Sequence, residues 1–200
     1  MSTSAVADAP QRGFFGHPRG LSTLFFTEMW ERFSYYGMRA ILGYYLYFSV
    51  AEGGLGIPES TALSLVGIYG ASVYMSGIVG GWLADRIIGA QWSVFWGGFI
   101  IMFGHICLAL PGGMVSVIGG LVFLVIGTGL LKPNISGIVG GLYGEHDTRR
   151  DAGFSIFYMG INIGGLLAPL VCGWLGEKVS WHLGFGAAAL SSARNRVVSG

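Results

Sequence analysis

The chain has 200 residues, of which 52% are hydrophobic, 14% aromatic and only 10% charged, with 36 glycines and a formal net charge of +1. This is far from the make-up of a soluble domain and indicates an integral membrane protein. The near-neutral balance, without a basic cluster or an aromatic-interleaved patch, excludes nucleic acid as a partner.

Residues 1–20, MSTSAVADAPQRGFFGHPRG, form a polar N-terminal tail with no apolar core long enough for a secretory signal. The first spanning helix is therefore expected to be the membrane-targeting element. Apolar stretches predict helices over 21–47, 60–83, 92–110, 115–143 and 153–175, with a sixth beginning near Leu183. Several reach the roughly 20 residues that a helix needs to cross a bilayer core. Helices must do the crossing, because backbone groups in lipid have to be satisfied within the segment, and the alternation of a barrel is not evident. The connections AEGGLGIPE, DRIIGA, PGGM, GEHDTRRDA and GEKVSWH are short and carry turn residues. The expected fold is an all-α membrane protein with five complete spanning helices plus the start of a sixth. Residues 21–190 form the bundle and residues 191–200 an atypical tail. No convincing internal repeat is present.

Orientation follows from the basic residues, which are in excess in cytoplasmic loops. With the N-terminus inside, cytoplasmic segments hold Arg12, Arg19, Arg86, Arg149 and Arg150, against Lys178 alone on the other side. A multi-pass protein of the cell (plasma or inner) membrane with a cytoplasmic N-terminus is expected. Cys107 and Cys172 lie singly in apolar segments and read as small buried hydrophobes. His105 and His182 read as packing or interface residues, and His146 with Asp147 as a solvated turn. No nucleophile or metal cluster stands at catalytic spacing, no filter-like loop marks a channel, and the glycine-rich runs lack the ending of a phosphate loop. Neither an enzyme nor a metal or cofactor is expected.

Arg32, Arg39 and Lys132 fall inside helices. At about 100° per residue, Glu28, Arg32, Tyr35 and Arg39 share an arc of roughly 60°, flanked by Glu31 and Tyr36. The stripe extends about 16 Å along the helix axis. A charge near the bilayer centre costs at least ~2.5 kcal/mol, so these groups must face an aqueous cavity or paired partners. The plainer reading is an ion-pair lattice, Glu28 with Arg32 at i,i+4, that only fixes packing. So many polar groups on one face exceed what packing needs. Lys132, in GTGLLKPNISGIVGGLYG beside Pro133, adds a movable cation. A carboxylate paired with Lys132 in one state and protonated in another is the elementary device of proton coupling. Asn162 and Tyr74 could add neutral hydrogen bonds to the same cavity, though such a residue in a membrane helix, taken singly, is more often interhelical glue.

TEMWERFSYYGMRAIL, GGWLADRIIGAQWSVFWGG, LKPNISG and DAGFSIFYMGINIGG resemble the signatures of the proton-coupled oligopeptide transporters, a branch of the major facilitator superfamily. The resemblance covers residues 14–189. It implies that Glu28, Glu31, Arg32 and Lys132 form the proton-coupling group. It also implies that Tyr35, Tyr36, Arg39, Tyr74, Lys132 and Asn162 bind di- and tripeptides, with protons as the coupling ion. Arg39 and Lys132 suit the peptide carboxylate; tyrosines and Asn162 suit the backbone common to all short peptides. Members of that family have twelve or fourteen spanning helices in two halves. Here the C-terminal half, which holds the peptide ammonium, is missing, and LSSARNRVVSG places Arg194, Arg196 and an asparagine where lipid is expected. A shifted reading frame or a truncation would produce such an end, and the chain alone is not expected to transport. Two other outcomes are a nitrate or other anion carrier of the same family and an inert binding-only fragment. The intact two-glutamate motif favours peptide.

Overall fold

The computed structural model describes the backbone of residues 13–144 and 146–198, and side chains over 13–144 and 146–190. The tail residues 1–12, including Arg12, and the side chains of 191–200, including Arg194 and Arg196, lie outside the described residues. Six long helices follow one another: α1 (Arg19–Tyr47), α2 (Glu59–Leu83), α3 (Ala90–Ala109), α4 (Gly113–Gly141), α5 (Arg150–Lys178) and α6 (Trp181–Val198). No strand occurs among the described residues.

The expected helices are present, with two corrections. The segment DRIIGA is not a loop: α2 continues into a π-helical turn, Ala84–Ile88, and the chain reverses only at Gly89, whose φ of 85° a side chain would resist. Helix α5 begins at Arg150 rather than near Gly153, because Asp151 in its first turn complements the helix dipole and extends it into the polar segment.

Among the described residues, four helices are long and apolar enough to cross a membrane: Glu59–Ile88, Ala90–Ala109, Gly113–Gly141 and Arg150–Lys178. Helix α1, at 29 residues, is long enough but carries Glu28, Glu31, Arg32 and Arg39. It compensates by burial: its inner residues, including Leu21, Met38, Ile41, Leu42 and Leu46, are almost fully enclosed. α1 packs along α5, α6 and α2, while α4 packs along α3 and α2.

Without a hydrophobic force between helices in lipid, close packing comes from small residues. A methyl group at Gly164 of α5 would lie 2.2 Å from the Met29 carbonyl oxygen of α1, so these two backbones touch. At Gly80 of α2 it would lie 2.0 Å from the carbonyl oxygen of Gly129 on α4. That carbonyl stands one turn before Pro133, which has no N–H to offer it, and α4 runs through Pro133 as one helix. Helix α2 approaches α4 closely at this point.

The ends of the bundle are tied differently. At the end holding the start of α1, His17 Nδ1 lies 2.9 Å from the Tyr143 hydroxyl and Arg149 donates to the Gly16 carbonyl at 3.1 Å. At the opposite end, Trp181 Nε1 donates to the Glu52 carbonyl at 2.9 Å. Successive helices therefore alternate in direction.

Candidate functional site

The polar stripe of α1 is split by its neighbours. Glu28, Glu31 and Arg32 are buried, at 2–4% exposure, whereas Tyr36 and Arg39 are exposed and Tyr35 is half-buried. Arg32 Nε lies 3.0 Å from Glu28 Oε1, one turn away, and Arg32 also pairs with Glu31 Oε2. Arg32 Nη2 sits against Glu31 without hydrogen-bond geometry, and Glu28 Oε2 has no partner among the described residues. One guanidinium thus faces two carboxylates. With both ionised, the cluster keeps a formal negative charge that burial penalises, so a second cation or a proton has to complete it.

Lys132 of α4 is near enough for its charge to act on Glu28, yet it forms no ion pair among the described residues. Its Nζ rests 5.1 Å from the centroid of the Tyr74 ring, which is 71% exposed on α2. A cation over an aromatic face is held by a weak attraction, of the order of 1 kcal/mol, and so is readily exchanged for a carboxylate.

A second group surrounds Tyr35. Arg39 Nη1 donates to the Tyr35 hydroxyl at 3.0 Å, and the Arg32 guanidinium lies 5.3 Å from the centre of the Tyr35 ring. Tyr35 meets Tyr36 edge-on at 5.2 Å and Tyr69 of α2 at 6.3 Å. The Tyr36 ring borders Gly165 of α5, three residues from Asn162, which is exposed and donates to the carbonyl of Tyr158 at 2.8 Å. Of the residues singled out from the sequence, Glu28, Glu31 and Arg32 form the buried ion cluster, Tyr36, Arg39, Tyr74, Lys132 and Asn162 are exposed on α1, α2, α4 and α5, and Tyr35 is half-buried between the two groups. Asn162 is engaged with its own helix.

Tyr69 was not legible as part of the site. Its only sequence signal is a polar-tipped aromatic in an apolar helix, five residues before Tyr74, and nothing in the sequence says that its buried ring meets Tyr35.

Elsewhere, His105 is completely buried, with neither ring nitrogen partnered among the described residues. Asp147 pairs with Arg149 at 2.7 Å rather than with His146. Hydrogen bonds from the Arg149 side chain and backbone hold the Asp147 carboxyl at about 2, below the ordinary carboxylate range. Among the described residues, no three His, Cys, Asp or Glu side chains gather as metal ligands would.

A bundle of long apolar helices with a buried ion cluster beside an exposed polar face is the architecture of a multi-pass membrane transporter. Residues 91–192, just over half of the chain, match the family described as the POT family. Over 98% of its length the chain is 61% identical to the "Uncharacterized transporter YclF" of Bacillus subtilis (strain 168), covering 40% of that protein. Over 90% it is 57% identical to the "Di-/tripeptide transporter" of Lactococcus lactis subsp. lactis (strain IL1403), covering 37% of it. A crystal structure of the peptide transporter POT in complex with sulfate superposes with a TM-score of 0.93 at 63% identity, over 96% of this chain and 39% of that one. The chain belongs to the POT family, and it spans about 40% of the length of the relatives it matches.

Proposed function

We propose that the chain is the N-terminal helical half of a proton-coupled symporter that brings di- and tripeptides into the cell by alternating access. The observation that carries this reading is the imbalance of the buried cluster: Arg32 faces Glu28 and Glu31, while Lys132 stands nearby on Tyr74. A proton completes the cluster in one state and Lys132 in the other, so proton release is tied to movement of the cation. That movement is the coupling step, and protons are the only coupling ion required; no cofactor is needed.

Peptide recognition falls to the exposed positions. Arg39 and Lys132 suit the peptide carboxylate, the first as a planar fork and the second as a point charge. Tyr35, Tyr36, Tyr74 and Asn162 suit amide groups present in every short peptide, which permits breadth of side chain. The ammonium end is left to a second helical half, and rocking of that half against residues 21–190 moves the substrate. The similarity to proteins named as di-/tripeptide transporters supports peptide over nitrate or another anion, as does the two-glutamate motif. The basic residues of the α1 start, the Ala84–Ile88 turn and the α4–α5 connection support a cytoplasmic N-terminus in a protein of the cell membrane.

The test is dipeptide uptake by the full-length protein in liposomes. An inward proton gradient should drive accumulation in the wild type and not in Lys132→Ala. Unchanged concentrative uptake by Lys132→Ala would remove Lys132 from coupling.

A further inference from the structure

Tyr69 of α2 is 3% exposed, and its hydroxyl has no hydrogen-bond partner among the described residues. Enclosing a hydroxyl without a partner is unfavourable, and a phenylalanine would fill the same space. The Tyr69 ring lies 6.3 Å from that of Tyr35, tilted by only 32°. Tyr69 also borders a groove of about 250 Å³ together with Leu65, Ile68, Ser72, Leu121 and Val125.

The Tyr35 hydroxyl accepts its hydrogen bond from Arg39 Nη1. Arg39 is exposed, and its fork is the group suited to a substrate carboxylate. When that carboxylate draws the guanidinium away, Tyr35 loses its donor while Tyr69, alongside, still has an unused O–H. A buried donor without a partner in one arrangement of a two-state protein is available for a bond in the other.

We infer that Tyr69 is a positioning residue: its hydroxyl replaces Arg39 as the donor to Tyr35 when Arg39 engages the carboxylate of the substrate. The exchange moves hydrogen bonds only and transfers no proton. It lowers the cost of recruiting Arg39, and so acts on substrate affinity through Tyr35 without touching the substrate. The inference rests on the reading of Arg39 as a carboxylate ligand.

The experiment is a double-mutant cycle in the full-length protein, reading KM and maximal rate of dialanine uptake under a fixed proton gradient. Tyr69→Phe keeps the ring and removes only an unpartnered hydroxyl, so it folds. It should raise KM about 2- to 10-fold, the worth of one hydrogen bond, with the maximal rate unchanged. In a Tyr35→Phe background the same change should have no further effect on KM. An unchanged KM in Tyr69→Phe, an effect confined to maximal rate, or an equal loss in both backgrounds would each overturn the role of Tyr69 while leaving the peptide reading intact. Absence of dialanine uptake by the wild type would overturn the peptide reading and this inference with it.

Discussion

Glu28 and Arg32 form a sealed pair: Arg32 Nε lies 3.0 Å from Glu28 Oε1, and each side chain is only 5% exposed. Arg32 is also bound to Glu31, so its removal strands two carboxylates in a low-dielectric interior. Truncating one member of a buried pair costs about 3–5 kcal/mol. Arg32→Ala should therefore lower thermal stability sharply in detergent, while Arg39→Ala, exposed, should leave it nearly unchanged. Equal melting temperatures for the two variants would contradict the burial pattern described here.

Glu28→Gln tests coupling rather than stability. The amide keeps the shape of the carboxylate but removes its charge and its capacity to carry a proton at neutral pH. Proton-driven accumulation should be lost while exchange of labelled for unlabelled dipeptide across the membrane continues. Retention of gradient-driven accumulation would release Glu28 from the coupling role.

Arg39→Lys separates the fork from the charge. The variant retains a cation but loses paired, planar donors, so affinity for free-carboxylate dipeptides should fall by roughly tenfold, the equivalent of about 1.4 kcal/mol. Competition uptake would show it, and an unaltered affinity would reassign Arg39 to structure.

Adjacent glycines on α3 should respond in opposite directions. A methyl at Gly97 would stand 2.8 Å from the Gly127 carbonyl oxygen and 2.9 Å from the Leu131 nitrogen, whereas at Gly98 its nearest neighbour is the Leu131 side chain at 3.9 Å. Gly97→Ala must force α3 from α4, at about 1–3 kcal/mol. Gly98→Ala should gain the roughly 0.5–1 kcal/mol that alanine holds over glycine within a helix. Melting temperatures of the two variants check this directly.

In the α4–α5 connection, Asp147 gains a partner in Arg149 and its carboxyl is depressed to about 2. A depressed carboxyl contributes stability above its ordinary value, near 3.8, and loses it as pH falls toward 2. The difference in melting temperature between wild type and Asp147→Asn should thus be constant from pH 5 to 8 and shrink below about pH 4. A difference that varied across the neutral range would point to another group.

Much of this was legible in the sequence because apolar length and turn residues dictate where helices begin and end. Each of the six was expected within a few residues, and the stripe on α1 follows from helical periodicity alone. Two features were hidden for physical reasons. The segment DRIIGA carries charges and a glycine, as a loop does, but a π-turn absorbs Asp85 and Arg86 into the end of α2. The division of the stripe into a buried ion cluster and exposed Tyr36 and Arg39 depends on how neighbouring helices cover α1. That is set by long-range contacts such as Gly164 against Met29, which no local pattern encodes. Tyr69 was missed for the same reason.

The most direct test of the central claim is uptake of a labelled dipeptide into liposomes under an inward proton gradient. It compares this 200-residue chain with the protein extended by a second helical half. Accumulation by the extended protein, abolished when the gradient is collapsed and absent for the short chain, is the result predicted. Accumulation that survives collapse of the gradient, or none by the extended protein, would contradict proton-coupled peptide import.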